Sequence, residues 1–225
     1  MKNFLNYVAD YKSHQSLALK MRKKRFALFL AMLETIPKPM TILDIGGTQL
    51  FWERMGFTDL SQTSITILNQ ELPVIRHPNF SGLVGDGTNL SSMPDKSFDV
   101  VFSNSVIEHV GDFNQQRSMA EEVQRVGHWY FLQTPNYYFP IEPHYLIPGF
   151  QWLPMKIKIW LHTHFDLGHM EKIEDPQEAK VQIEKIRLLK KAELKVLFPG
   201  ANIYEEKVLG LTKSFIAYNK NFLDN

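Results

Sequence analysis

The 225-residue chain contains no cysteine. That excludes disulfides, thiolate metal sites and cysteine nucleophiles, and it fits a reducing compartment. An excess of one charge is also missing: 25 Lys and Arg stand against 24 Asp and Glu, a formal net charge of +1. That balance exerts no general pull toward nucleic acid or an acidic membrane. There is no basic stripe with interleaved aromatics, so no nucleic-acid partner is expected. No apolar run approaches the roughly 20 residues of a membrane-spanning helix. Lys12, His14 and Lys20 interrupt any leader-like stretch near the start,. A cytoplasmic protein without an integral membrane segment is therefore expected. Internal repeats and low-complexity segments are lacking as well.

What is present is ordinary globular composition, 44% hydrophobic and 22% charged. At this length it suits one domain, residues 1–225, with a sizeable core. Residues 1–36 suggest a helical cap whose apolar face is Leu17, Met21, Phe26, Leu28, Phe29, Leu30, Met32 and Leu33, ended by Pro37 and Pro39,. Its basic cluster Lys20, Arg22, Lys23, Lys24 and Arg25 fits a solvated face first,. The other reading is an arginine that holds a ligand carboxylate. Tyr7 and Tyr11 on the same cap are placed to close over a ligand.

Strand patterns follow at 41–45, 64–69, 83–87, 98–104 and 129–134, with helical patterns at 49–55, 106–110 and 115–126 between them. Alternation of this kind predicts βαβ units and a parallel sheet. Residues 135–175 break it. They are rich in Pro, aromatics and His, and are expected to form a lid or substrate insertion over the sheet's carboxyl edge. A helix over 176–197 and two strands, 202–208 and 213–218, then end the sheet as a hairpin.

The organising stretch is Leu43-Asp44-Ile45-Gly46-Gly47. A buried strand runs into an acid and then into a glycine turn where a backbone can approach a ligand closely. In open α/β sheets that is where ligands bind. An ordinary strand followed by a glycine turn is the plainer reading of the motif alone.

The ordered set of strand ends resembles the class I S-adenosylmethionine-dependent methyltransferases, in their small-molecule, type 11-like branch. It comprises Leu43-Asp44-Ile45-Gly46-Gly47, the polar end of the second strand at Asn69, Gly85-Asp86-Gly87, and the run from Phe98 to Val110 that contains Ser103-Asn104 and Glu108-His109. The resemblance covers roughly residues 40–134 and the final hairpin. It implies a Rossmann-like α/β sheet of seven strands, mostly parallel with an antiparallel last strand and helices on both faces. It implies S-adenosyl-L-methionine as cofactor. Asp44, Gly46 and Gly47 would face the methionine part, Asn69 the ribose, and Asp86 and Gly87 the adenine. Ser103 and Asn104 would line the path to the reactive methyl. Thr48 and Leu50 stand where the family has glycines, and Asn69 stands where it has an acid.

Methyl transfer to oxygen or nitrogen needs positioning and removal of a proton, and histidine is the usual base. His144, with Glu142 as its orienter, and His109 are the candidate catalytic residues. Tyr138, Phe139, Glu142 and Trp152 are expected to bind the acceptor. His162, His164, Asp166 and His169 match no metal motif, so no metal site is expected. The apolar stretch 150–161 suits a hydrophobic acceptor, a membrane surface or a homodimer contact. The expected function is methyl transfer to a small-molecule biosynthetic intermediate, such as a natural product, lipid-linked sugar or glycan precursor. A cofactor-binding partner or regulator without turnover is the alternative. A nicotinamide oxidoreductase is disfavoured, because Thr48 and Phe51 occupy glycine positions of its fingerprint,.

Overall fold

A computed structural model describes residues 17–57 and 61–220 of the chain. Tyr7, Tyr11 and the rest of the cap before residue 17 lie outside the described residues. In chain order the elements are α1 (Leu17–Glu34), β1 (Met40–Ile45), α2 (Gln49–Arg54), β2 (Thr63–Asn69), β3 (Phe80–Val84) and β4 (Phe98–Asn104). A 3-10 turn (Ile107–His109), α3 (Phe113–Val126) and β5 (Gly127–Pro135) follow. The remainder is α4 (Met155–His164), α5 (Pro176–Glu184), α6 (Lys191–Leu197), β6 (Asn202–Val208) and β7 (Leu211–Tyr218).

The seven strands form one sheet in the order β3-β2-β1-β4-β5-β7-β6. The first five are parallel, and β7 runs antiparallel to both β5 and β6. Successive side chains of a strand point to opposite faces, and here each face has its own core. Ile42, Ile65, Ile67, Val100 and Phe102 point to one side, against Phe26, Phe29 and Met32 of α1 and Trp52 of α2. Leu43, Ile45, Leu68, Val101 and Leu132 point to the other, against Met119, Ala120 and Val123 of α3. Burial on both faces is why these strands read as near-continuous apolar runs.

Three expectations about elements needed correction. The third strand begins earlier, at Phe80, and ends at Val84, because a single buried aromatic anchors an otherwise exposed edge. Residues 107–109 form a 3-10 turn rather than an α-helix. The helix over 176–197 is two helices. Between them the chain runs extended: Leu189 bridges Asn136, Arg187 N–H donates to Glu108 O at 2.8 Å, and Gln116 Nε2 donates to Arg187 O at 2.8 Å. Tertiary hydrogen bonds override the helical periodicity there. The segment after β5 carries α4 and a small core of its own: Tyr145, Phe150, Leu167 and, from α5, Ile183.

Candidate active site

The strand order reverses between β1 and β4, and ligands bind outside the carboxyl ends of strands at such a point. A cleft of about 750 Å³ lies there, bounded by Gly46, Asn69, Glu71, Asp86, Ser105 and His109. Ligand pockets span roughly 300–1,000 Å³.

The turn that floors the cleft is built on two glycines. Gly46 has φ +76°, and a Cβ there would lie 2.5 Å from a Val106 methyl. A Cβ on Gly47 would lie 1.7 Å from Asp44 Oδ2, so only glycine closes over that carboxylate,. Thr48 takes no part as a missing glycine. It caps α2, and its Oγ1 accepts from Phe51 N–H at 3.2 Å.

Asp44 is placed differently from expectation. Its side chain is buried beneath Gly47 rather than on the cleft wall. Oδ2 accepts from Trp52 Nε1–H at 2.7 Å, and Oδ1 has no partner. Burial lifts its pKa to about 7, against the lowering effect of the Trp52 bond,. Asn69 lines the cleft while its Nδ2 donates to Gly47 O at 2.7 Å, pinning the turn from the second strand. Asp86 and Gly87 line the opposite wall, and Asp86 Oδ1 accepts from Thr88 N–H at 2.9 Å.

Ser103 and Asn104 do not line the cleft. Ser103 is buried and its hydroxyl faces Ile45 O at 3.4 Å. Asn104 Oδ1 accepts from Arg25 Nη1 at 2.5 Å. The next residue, Ser105, lines the cleft. It sits at φ +58°, reaches both the cleft and an adjoining cavity of about 110 Å³, and donates to Gln133 Oε1 at 2.8 Å. The resemblance implied Ser103 and Asn104, and the left-handed turn at Ser105 opens to the cleft one residue further on. Glu71 on the cleft wall was also missed. Its signal was an acid two residues past the end of β2.

Arg25 leaves the basic cluster's solvated face. It is buried, with Nε and Nη2 on the Glu206 carboxylate at 2.5–3.0 Å and Nη1 also on Gln133 Oε1 at 2.9 Å. It binds the protein's own carboxylate, not a ligand's.

At the far end of the cleft, His109 and His144 meet with their Nε2 atoms 3.1 Å apart and their rings perpendicular. His144 Nδ1 lies 2.7 Å from Glu142 Oε1. Glu142 Oε2 accepts from the backbone N–H of His144 and of Tyr145, each at 2.7 Å. Glu142 therefore stands behind His144, and it also lines a separate cavity of about 250 Å³ with Tyr137, Gln151 and Lys158. Burial pushes His144 down, but the Glu142 hydrogen bond and charge, with Glu108, leave it raised above the ordinary histidine value. His109, exposed along one edge, is lowered to about 4 by burial of the ring and by His144. Burial lifts Glu108 to about 7. Among the described residues, Glu108, His109 and His144 are the group with the ligand spacing of a metal site.

The remaining expectations scatter. Phe139 lines the small cavity beside Ser105. Tyr138 and Trp152 do not reach it: they are 60% and 50% exposed on the outside of the insertion. His162 is buried against Tyr145 and bonded to Glu171 O, whereas His164 stacks on Trp160, so that histidine group does not converge. No helix among the described residues is long and apolar enough to cross a membrane.

Residues 47–128 match the family model described as a methyltransferase domain. The CurJ carbon methyltransferase superposes with a TM-score of 0.54 at 13% identity, covering 88% of this chain and 53% of that one. A Haloferax volcanii chain assigned as a methyltransferase, solved with the Trm112 methyltransferase activator, superposes at 0.51 and 14% identity over 89% and 91%. This is the class I methyltransferase fold. Two uncharacterised proteins from strains of Mycobacterium tuberculosis are 35% identical over 68 residues, 30% of this chain. The match spans 23% of those relatives' length. The matched segment runs from Gly47 through α3 and holds β2, β3 and β4, while β1, with Ile45 and Gly46 of the cleft, precedes it.

Proposed function

We propose that this protein transfers a methyl group from S-adenosylmethionine to an oxygen or nitrogen of a small-molecule biosynthetic intermediate, one bulky or partly hydrophobic, such as a natural product, lipid-linked sugar or glycan precursor. The observation that carries this is a cleft at the sheet's switch point with a hydrogen-bonded histidine pair at one end. The residues present fit the cofactor. Asp44 Oδ1 is a buried acceptor without a donor, directly under the turn where an ammonium group would arrive,. Asp86, with the Gly87 N–H, suits the adenine edge, and Asn69 and Glu71 suit the ribose diol,. When bound, the cofactor supplies a methyl already activated by the sulfonium.

The chain's own groups then handle the acceptor. Glu142 fixes the proton of His144 on Nδ1, so His144 Nε2 accepts from His109 Nε2–H, and His109 Nδ1 is left as the proton acceptor,. A proton taken at His109 Nδ1 is matched by one passed from its Nε2 to His144, where Glu142 stabilises the charge. Phe139 and Ser105 flank the small cavity beside the cleft into which part of the acceptor would reach.

Calorimetric titration with S-adenosylmethionine and S-adenosylhomocysteine tests the reading. Micromolar binding is expected, weakened at least tenfold by Asp86→Ala and by Asp44→Ala; no heat with either ligand would overturn it. The substitutions at Thr48, Leu50 and Asn69 motivate a second reading, a cofactor-binding partner without turnover. Binding with no labelled methyl delivered to a metabolite pool would favour that one.

A further inference from the structure

Among the described residues, Glu108 and Asp44 are the two buried carboxylates with an oxygen that has no partner. Glu108 is fully buried; Oε2 accepts from Thr134 Oγ1 at 3.1 Å, and Oε1 has no partner. A buried carboxylate oxygen without a donor is costly, so it calls for a ligand. The ligating atoms of Glu108, His109 and His144 all lie within 4.8 Å of one another. The two Nε2 atoms are 3.1 Å apart. Two nitrogens at roughly 2.0–2.1 Å from one metal stand about 2.9 Å apart at a right angle and about 3.3 Å apart at the tetrahedral angle. The observed separation falls between these.

The surroundings are those of a ligand set. A metal-bound histidine gives its other ring N–H to a carboxylate, and Glu142 holds His144 Nδ1 at 2.7 Å. The turn carrying Glu108 and His109 is itself held, through Gln116 Nε2 on Ile107 O and Arg187 N on Glu108 O. His109 lines the cleft, which leaves the fourth side open to it. Two imidazoles and a carboxylate suit a first-row divalent ion better than magnesium or calcium.

We propose that Glu108, His109 and His144 form a binding site for one first-row divalent cation, zinc or manganese, with Glu142 as the outer partner of His144 and the open coordination position facing the cleft. The site stands on these side chains alone. It rests on the methyl-transfer reading only for its use, which is to hold the acceptor's oxygen beside the methyl. A bound cation and the histidine base exclude each other: the cation takes the Nε2 lone pair of each ring, which puts the remaining proton of His109 on Nδ1, the atom the base needs free,. Metal occupancy therefore decides how the acceptor is activated.

The test uses the full chain, without a histidine tag, stripped by chelator and dialysed. Zinc or manganese is titrated by calorimetry, with S-adenosylmethionine titrated separately into the same preparation. One equivalent of metal is expected to bind at micromolar Kd or tighter. Glu108→Gln and His144→Ala should each weaken it at least tenfold, and Glu142→Gln should weaken it by a smaller factor. Glu108→Gln keeps the side-chain volume and an acceptor for Thr134, so it reports on binding even where His144→Ala fails to fold. Absence of metal binding, or binding that Glu108→Gln leaves unchanged, overturns the proposal. Cofactor binding without metal binding sinks this site and leaves the histidine base. Metal binding without cofactor binding sinks the methyl-transfer reading and leaves the site.

Discussion

At Asp44, burial sets stability against pH,. Burial holds its carboxyl at about 7 in the folded protein against an ordinary value of 3.8. The folded state binds that proton more tightly than the unfolded state, so ionisation opposes folding. The penalty is absent below about pH 4, grows through the interval, and is complete above about pH 7. Asp44→Asn retains an acceptor for Trp52 and cannot ionise. Without ligand, the variant should melt several degrees above the parent at pH 8 and level with it at pH 4, as read by calorimetric melting. A difference that stays constant with pH would remove Asp44 as its source. An ammonium group bound over Oδ1 would reverse the penalty, which is why the same substitution should also weaken S-adenosylmethionine.

At the scale of elements, two helices begin with comparable caps but have different duties. Thr48 caps α2 at the Gly46–Gly47 turn, and Asp112 caps α3 with a reciprocal bond in which its backbone N–H donates to Gln115 Oε1. Loss of either cap costs about 1 kcal/mol, a fall in Tm of roughly 2–4 °C at this size. Thr48→Ala and Asp112→Ala should therefore destabilise alike. Only Thr48→Ala should also weaken S-adenosylmethionine binding, because Thr48 follows the Gly46–Gly47 turn directly, and parallel melting and calorimetry would show the split. Equal affinity in both variants would mean that the turn is held by Asn69 alone.

Over the whole molecule, the long-range tie is Arg25 with Glu206. It joins α1 to β6 across 181 residues, and Ser214 of β7 also donates to the Glu206 carboxylate. Removing one member of a buried ion pair leaves the other charge uncompensated and costs roughly 3–5 kcal/mol. Glu206→Leu should lose about that much in urea unfolding. The double variant Arg25→Leu with Glu206→Leu should lose less than the single one, and a double loss equal to the sum of both singles would show that the pair is not coupled.

What the residues alone determined follows from local chemistry. The apolar runs 41–45, 64–69, 98–104 and 129–134 are strands because they are buried on both faces, and Asp44, Asn69 and Asp86 end or follow strands whose carboxyl edges must coincide in a parallel sheet. The position of the cleft was therefore legible. Side-chain direction was not. Whether Asp44 faces the cleft depends on Trp52, eight residues later, and on the lack of a Cβ at Gly47. Ser105 displaced Ser103 and Asn104 through one left-handed residue, and Arg25 left its surface cluster because Glu206 waits on the last hairpin. The meeting of Glu108 and His109 with His144 joins a turn after β4 to a segment after β5. Sequence periodicity carries no distance information between residues 35 positions apart, and only the packing of those two strands side by side brings the rings within 3.1 Å.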